Sequence, residues 1–124
     1  MFSESAYHRL LEKHPRLCAS GLAGTGLDDF ALERQRLEGA FAEFALCCEW
    51  LLDCTPMRRV SCVAPWSGEL RVHIERQTGS AISVGALIAA VFYLRLPYHH
   101  PDDSPEVRIG ISVRSPALCA AQAV

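Results

Sequence analysis

The amino-acid sequence predicts an α+β fold: one mostly helical domain with a long central helix, a helix-turn-helix-like hairpin and a small antiparallel sheet. Three observations carry that prediction. The 124 residues leave room for a single domain. Residues 28–53 hold an apolar stripe at helical spacing, and residues 106–114 alternate apolar and polar as a half-buried strand does. With 50% hydrophobic and 21% charged residues, the chain has enough apolar surface to form a core. The domain divides into an N-terminal helix with a glycine-rich linker (1–27), the long helix (28–54), and a helical hairpin followed by a β-hairpin (55–124).

Residues 3–14 are amphipathic, with Tyr7, Leu10 and Leu11 on one side, and His14-Pro15 ends the helix. Ser20 to Gly26 holds three glycines. It lacks the Gly-Lys-Ser/Thr ending of a P-loop, and its GxxGxG spacing differs from that of a dinucleotide-binding loop, so it is expected to be a flexible linker. Asp28 or Asp29 then caps the long helix, where Phe30, Leu37, Phe41, Phe44, Cys48 and Leu51 form one stripe. Arg34 with Glu38, and Glu33 with Arg36, pair on the solvated side. From Phe44 to Leu52 only Glu49 is charged, and Leu46, Cys47 and Trp50 widen the stripe. That segment is either central in the core or part of an interface. A second copy of the chain would complete it as a homodimer, and the apolar helix at 84–94 would complete it from within.

Thr55-Pro56 stops the helix, and Arg58 to Val63 reads as a short strand. Ser67 is expected to cap a helix from Gly68 to Gln77, closed by Gly79 in the left-handed conformation. Ser83 caps the next helix, which runs from Val84 to about Leu94. Arg95 to His99 is expected to pair with the 106–114 strand. The apolar run from Ile82 to Leu96 is too short for a membrane span, so no membrane partner is expected.

The net charge of −2 provides no general basic field, but it divides into −4 for residues 1–56 and +2 for 57–124. The acidic half is expected to present Glu33, Glu38 and Glu43, with Leu46 and Trp50, to a basic partner protein. These three glutamates lie off the stripe, so reversing them to Lys is expected to leave the fold intact. The first residues carry no signal-peptide pattern, and the six cysteines show no CxxC pair or zinc-ligand spacing. Reduced, mostly buried thiols in a cytoplasmic setting are therefore expected.

Helix, glycine-containing turn, helix and β-hairpin together outline a winged helix. The second helix of the pair, Val84 to Leu94, carries almost nothing with which to read base edges. Arg58, Arg59, Arg71, Arg76 and Arg95 are left as candidate phosphate contacts, with Glu69 and Glu75 beside two of them. Nucleic acid is thus the alternative partner. His99-His100-Pro101-Asp102-Asp103 is the only dense group of potential ligands, but adjacent histidines in an extended segment point to opposite faces. His73 with Glu75, and Ser61 with Cys62, form no recognised catalytic pattern. No catalytic residue, cofactor or metal is expected.

Ser67-Gly68-Glu69-Leu70-Arg71, with Glu75 beyond it, and then Ala81 to Ala90 (AISVGALIAA) carry a resemblance. The chain here resembles small uncharacterised proteins of proteobacterial plasmids, integrative elements and phages. Their pattern runs S-Y-x-L-K-H-x-x-E, then Y-V/I-S-N-G-A-L/F-I-A-A-A. The likeness spans residues 64–116, and Gly68, Val72, Ala81 and Val84 stand where those proteins have Tyr, His, Tyr and Asn. Those proteins have no activity to carry over, but their genetic setting, with the small size, the acidic half and the lack of a catalytic motif, leads to the expectation of a mobile-element accessory protein that acts by protein contact on a host partner, such as an inhibitor of a defence system of the anti-CRISPR kind.

Overall fold

The computed structural model describes residues 2–22, 29–101 and 104–112. Among them the fold is α+β-like, with five helices and two small antiparallel sheets. Ser3 accepts a hydrogen bond from the Ala6 amide at 3.1 Å and starts α1 (Glu4–Lys13), which buries Tyr7 and Leu11. The expected linker instead begins as a tight hairpin, β1 (Leu17–Cys18) against β2 (Gly21–Leu22). Gly21 is required there, because its φ is +117° and a Cβ would meet the Pro105 carbonyl oxygen at 2.2 Å. Gly24, Gly26 and Asp28 lie outside the described residues.

The long helix is two helices, α2 (Phe30–Glu38) and α3 (Phe41–Leu52), broken at Gly39-Ala40. Glycine inside a helix costs about 1 kcal/mol relative to alanine, which makes Gly39 the cheapest place to break. The break buries Leu37, Ala40 and Phe44 together. Stripe spacing alone does not reveal it, since the 3- and 4-residue steps persist across the junction. Asp29 sits at the N-cap of α2 but makes no side-chain cap bond. The expected pairs on α2 do form, Arg36–Glu33 at 3.1 Å and Arg34–Glu38 at 3.9 Å.

Residues 58–63 are bends and a turn, not a strand. The Ser61 hydroxyl accepts from the Val63 amide at 3.2 Å and the Ser61 carbonyl from Ala64 at 3.1 Å, local bonds that compete with a ladder. Helix α4 (Ser67–Thr78) has Trp66, not Ser67, at its N-cap. Ser67 is fully buried and exchanges bonds with Val107, donating its amide at 2.9 Å and accepting at its hydroxyl at 3.2 Å. Carboxylates serve the start of α4 instead: Glu106 takes the Gly68 amide at 2.6 Å and Glu69 reaches the Trp66 amide at 3.4 Å. Gly79 closes the helix at φ +73°, as expected.

Ser83 caps α5 (Val84–Tyr93), accepting from Ala86 at 3.2 Å. The helix ends in a Schellman arrangement, with Leu96 N–H donating to Val91 and Arg95 N–H to Phe92. Arg95 occupies the position glycine usually takes, at φ +57°. Strand β3 (Tyr98–His99) pairs with β4 (Arg108–Ile109) in the expected antiparallel sense. The strand at 106–114 is much shorter than expected, because its neighbours change along its length: Trp66 bridges Arg108, and Pro56 bridges Ile111. Alternation survives as burial of Val107, Ile109 and Ile111. Val113 and Arg114 lie outside the described residues.

Every residue from Gly85 to Val91 is buried. Helices α1, α3 and α4 and both strands of the first hairpin pack against α5. Burial of Leu87, Ile88 and Val91 contributes about 2 kcal/mol each. The closest approach is at Gly85, whose amide donates to the Ala19 carbonyl at 3.0 Å. A Cβ there would lie 1.9 Å from the Cys18 carbonyl oxygen. Gly85→Ala is therefore expected to lower unfolding free energy by about 3 kcal/mol in denaturant titration, whereas Gly79→Ala, with open space around it, costs about 1 kcal/mol.

Candidate binding face

The acidic residues expected to form one face are dispersed into the fold. Glu33 accepts the Ser20 hydroxyl at 2.9 Å, joining α2 to the first hairpin. Glu43 is half-buried and accepts the Ser83 amide at 2.7 Å, so it anchors the start of α5 from α3. Only Glu38 faces solvent. Its partner Arg34 is turned inward, donating to the carbonyls of Leu11 (2.6 Å), Leu17 (2.7 Å) and His14 (2.9 Å), where α1 ends. Leu46 is half-buried, and Trp50 is buried with its indole N–H on Gln77 at 2.7 Å. Within the same chain α5 packs on α3, and α4 holds Trp50 through Gln77.

The arginines are likewise spread. Arg71 is paired with Glu75 at 2.9 Å, and the other Glu75 oxygen holds the Ile82 amide. Arg76 is exposed on α4, Arg95 at the end of α5, and Arg58 and Arg59 on the turn after α3. No helix among the described residues is long and apolar enough to cross a membrane. No group of three or more His, Cys, Asp or Glu among them is placed to hold a metal ion.

The structure assembles one face that the separate motifs did not show. The turn at 57–64 lies against the segment 110–112, enclosing a cleft of about 310 Å³. Met57 (42% exposed) and Val63 (69% exposed) line it, with Arg59 beside them and Ile111 as an apolar floor. A neighbouring cavity of about 330 Å³ shares Ser61 and adds Cys62, His99 and Arg108. Arg108 is held rigidly, its guanidinium 4.3 Å over the Trp66 ring and its Nη1 donating to the Ala64 carbonyl at 2.7 Å. Residues 54–66 contain no acid. The nearby carboxylates of Glu69 and Glu106 are committed to backbone amides. Among the described residues no carboxylate pairs with Arg58, Arg59 or Arg108.

Val63 was missed because it was read as part of a strand at 58–63, and Met57 because nothing in its neighbours places it beside residues 110–112. The available signal was the acid-free run from Cys54 to Trp66. No hydrogen bond among the described residues joins Cys62 or Ser61 to His99. The His100 ring is engaged by the Ser104 carbonyl at 2.6 Å, and Asp102 and Asp103 lie outside the described residues. His73 and Glu75 form no pair, and His73 Nδ1 is buried without a partner.

Cys18, Cys47, Cys48 and Cys54 are buried free thiols, Cys62 is exposed, and Cys119 lies outside the described residues. Burial pushes Cys48 and Cys54 up to about 12 and raises Cys47 further, with Cys48 and Glu43 adding to that rise. In a Cys119→Ser chain, Cys62 is therefore expected to alkylate first in the native state, with Cys47, Cys48 and Cys54 reacting only on unfolding; mass mapping of the labelled peptides checks this. The three raised thiols also set a sign for alkaline pH. Above about pH 9 the unfolded chain releases thiol protons that the folded chain keeps, so stability falls as pH rises from there.

The Glu43 anchor reverses the expectation that the glutamates are interchangeable surface charges. Glu43→Lys is expected to cost about 2 kcal/mol in chemical denaturation, and Glu38→Lys to stay within about 0.5 kcal/mol. No protein-family model matches the chain, and comparisons with curated proteins and with solved structures return no significant match.

Proposed function

We propose that the chain is a non-enzymatic protein that works by contact with another protein, through the cleft face formed by the 57–64 turn and the 108–112 segment. The observation that carries this reading is the pair Met57 and Val63, large apolar side chains left exposed beside a cleft with an apolar floor. Unpaired Arg58 and Arg59 beside them supply a polar rim. The resemblance of residues 64–116 to proteins of mobile elements supports a host partner, and inhibition of a defence system as the consequence of the contact.

DNA recognition is the weaker reading. Its reading helix would be α5, whose residues Gly85 to Val91 are all buried and have no route to a base edge. A photoreactive residue at Met57 or Val63 is expected to capture a partner protein in producing cells, while the same group at exposed Leu32 captures none. Met57→Asp and Val63→Asp are expected to abolish capture without moving the melting temperature. Equal capture from Leu32 would defeat the proposal. So would duplex binding tighter than about 10⁻⁴ M at physiological salt that is lost in Arg58→Gln and Arg59→Gln chains.

A further inference from the structure

A second region, away from the 57–64 turn, brings positive charges together. The outer side of α1 and the end of α5 form an open groove of about 340 Å³ lined by Arg9, Lys13 and Arg95 over Leu10, Phe92 and Tyr93. Arg9 and Lys13 are four residues apart on α1, so they share a side of the helix, and all three cations are exposed. Among the described residues no carboxylate is within ion-pair distance of any of them. Like charges so placed repel one another, and nothing in the fold demands the arrangement. Lys13 is not needed to serve the end of α1, because Arg34 already donates to the carbonyls of Leu11 and His14 there.

Arg95 adds an independent observation. It holds a left-handed backbone, φ +57°, at the helix-end position where glycine is free of cost and a residue with a Cβ is strained. Glycine would complete the same Schellman bonds. The chain instead carries there a side chain that lines the cation groove, and backbone strain retained at such a place is a mark of a binding role.

We infer that this groove binds the phosphate group of a small phosphorylated molecule, with Arg9, Lys13 and Arg95 neutralising the oxyanion. Arginine forks match phosphate oxygens in pairs, and lysine adds a point charge. The Phe92 and Tyr93 rings provide an apolar shelf for the body of the ligand. The inference is independent of the protein-contact face, which uses none of these residues.

The test is a calorimetric titration of the full chain with adenosine diphosphate, pyrophosphate and adenosine. Adenosine diphosphate and pyrophosphate are expected to bind, and adenosine to bind at least about tenfold more weakly, the loss of one charge-assisted contact. Arg95→Gly separates site from fold: it is expected to keep or raise the melting temperature while weakening both phosphates at least about tenfold. Arg9→Gln and Lys13→Gln are expected to weaken them similarly, and Arg58→Gln to leave them unchanged. Phosphate affinity equal to that of adenosine, binding that survives Arg95→Gly, or equal loss in Arg58→Gln overturns the inference. Duplex DNA that binds more tightly than adenosine diphosphate and depends on Arg95 overturns it too, making the groove a nucleic-acid contact instead.

Discussion

Helix α5 has no side chain that water solvates well along its buried length, and the rest of the fold is arranged to cover it. α3 lies along one side, α4 and α1 add further walls, and the first hairpin closes the remaining gap. That gap is narrow enough to require Gly85, since any Cβ would enter the Cys18 carbonyl. A helix buried on all sides also has to be fastened at its ends. Ser83 and Glu43 hold the first, and the Schellman bonds around Arg95 hold the second.

The charged residues do more internal work than their exposure implies. Arg34, Glu43, Glu75 and Glu106 each send a charge from one element to backbone groups of another. Such bonds are stronger than neutral ones and satisfy helix and turn ends that would otherwise meet the core unpaired. This explains why counting acids in the first half of the chain did not locate a face. Glu33 and Glu43 are spent on fastening, and around the cleft the charges left without an ion pair among the described residues are those of Arg58, Arg59 and Arg108.

What was legible in the sequence was local. The Ser83 cap, the left-handed Gly79, the ion pairs on α2 and the pairing of residues near Tyr98 with those near Ile109 all depend on neighbours within a few positions or on plain alternation. What was not legible depended on distant partners. Gly39 breaks a helix whose stripe runs through it unchanged, and Ser67 has the composition of a cap but is used to hold Val107. The cleft of Met57 and Val63 needed residues 110–112 to be brought beside a turn far away in the chain, and the Arg9, Lys13 and Arg95 groove joins α1 to the end of α5. Of the candidate residues, Arg58, Arg59 and Arg95 sit at these places, although they were read as phosphate contacts of a DNA-binding hairpin whose second helix is buried.

Residues 105–112 consist of few side chains yet reach much of the molecule. Their backbone bonds run to Leu22, Thr55, Met57, Pro65, Ser67 and Pro97, and Glu106 finishes the start of α4. In a chain made from its amino end, this segment leaves the ribosome after all five helices of the described residues have been synthesised. The helices then wait, with α5 complete but the start of α4 untied, until residues 105–112 thread among them. Closure of this kind joins positions far apart in the chain, and such contacts form slowly. The newborn protein therefore has a period in which the start of α4 and the first hairpin lack these bonds, and a chain interrupted before residue 105 would stay in that condition.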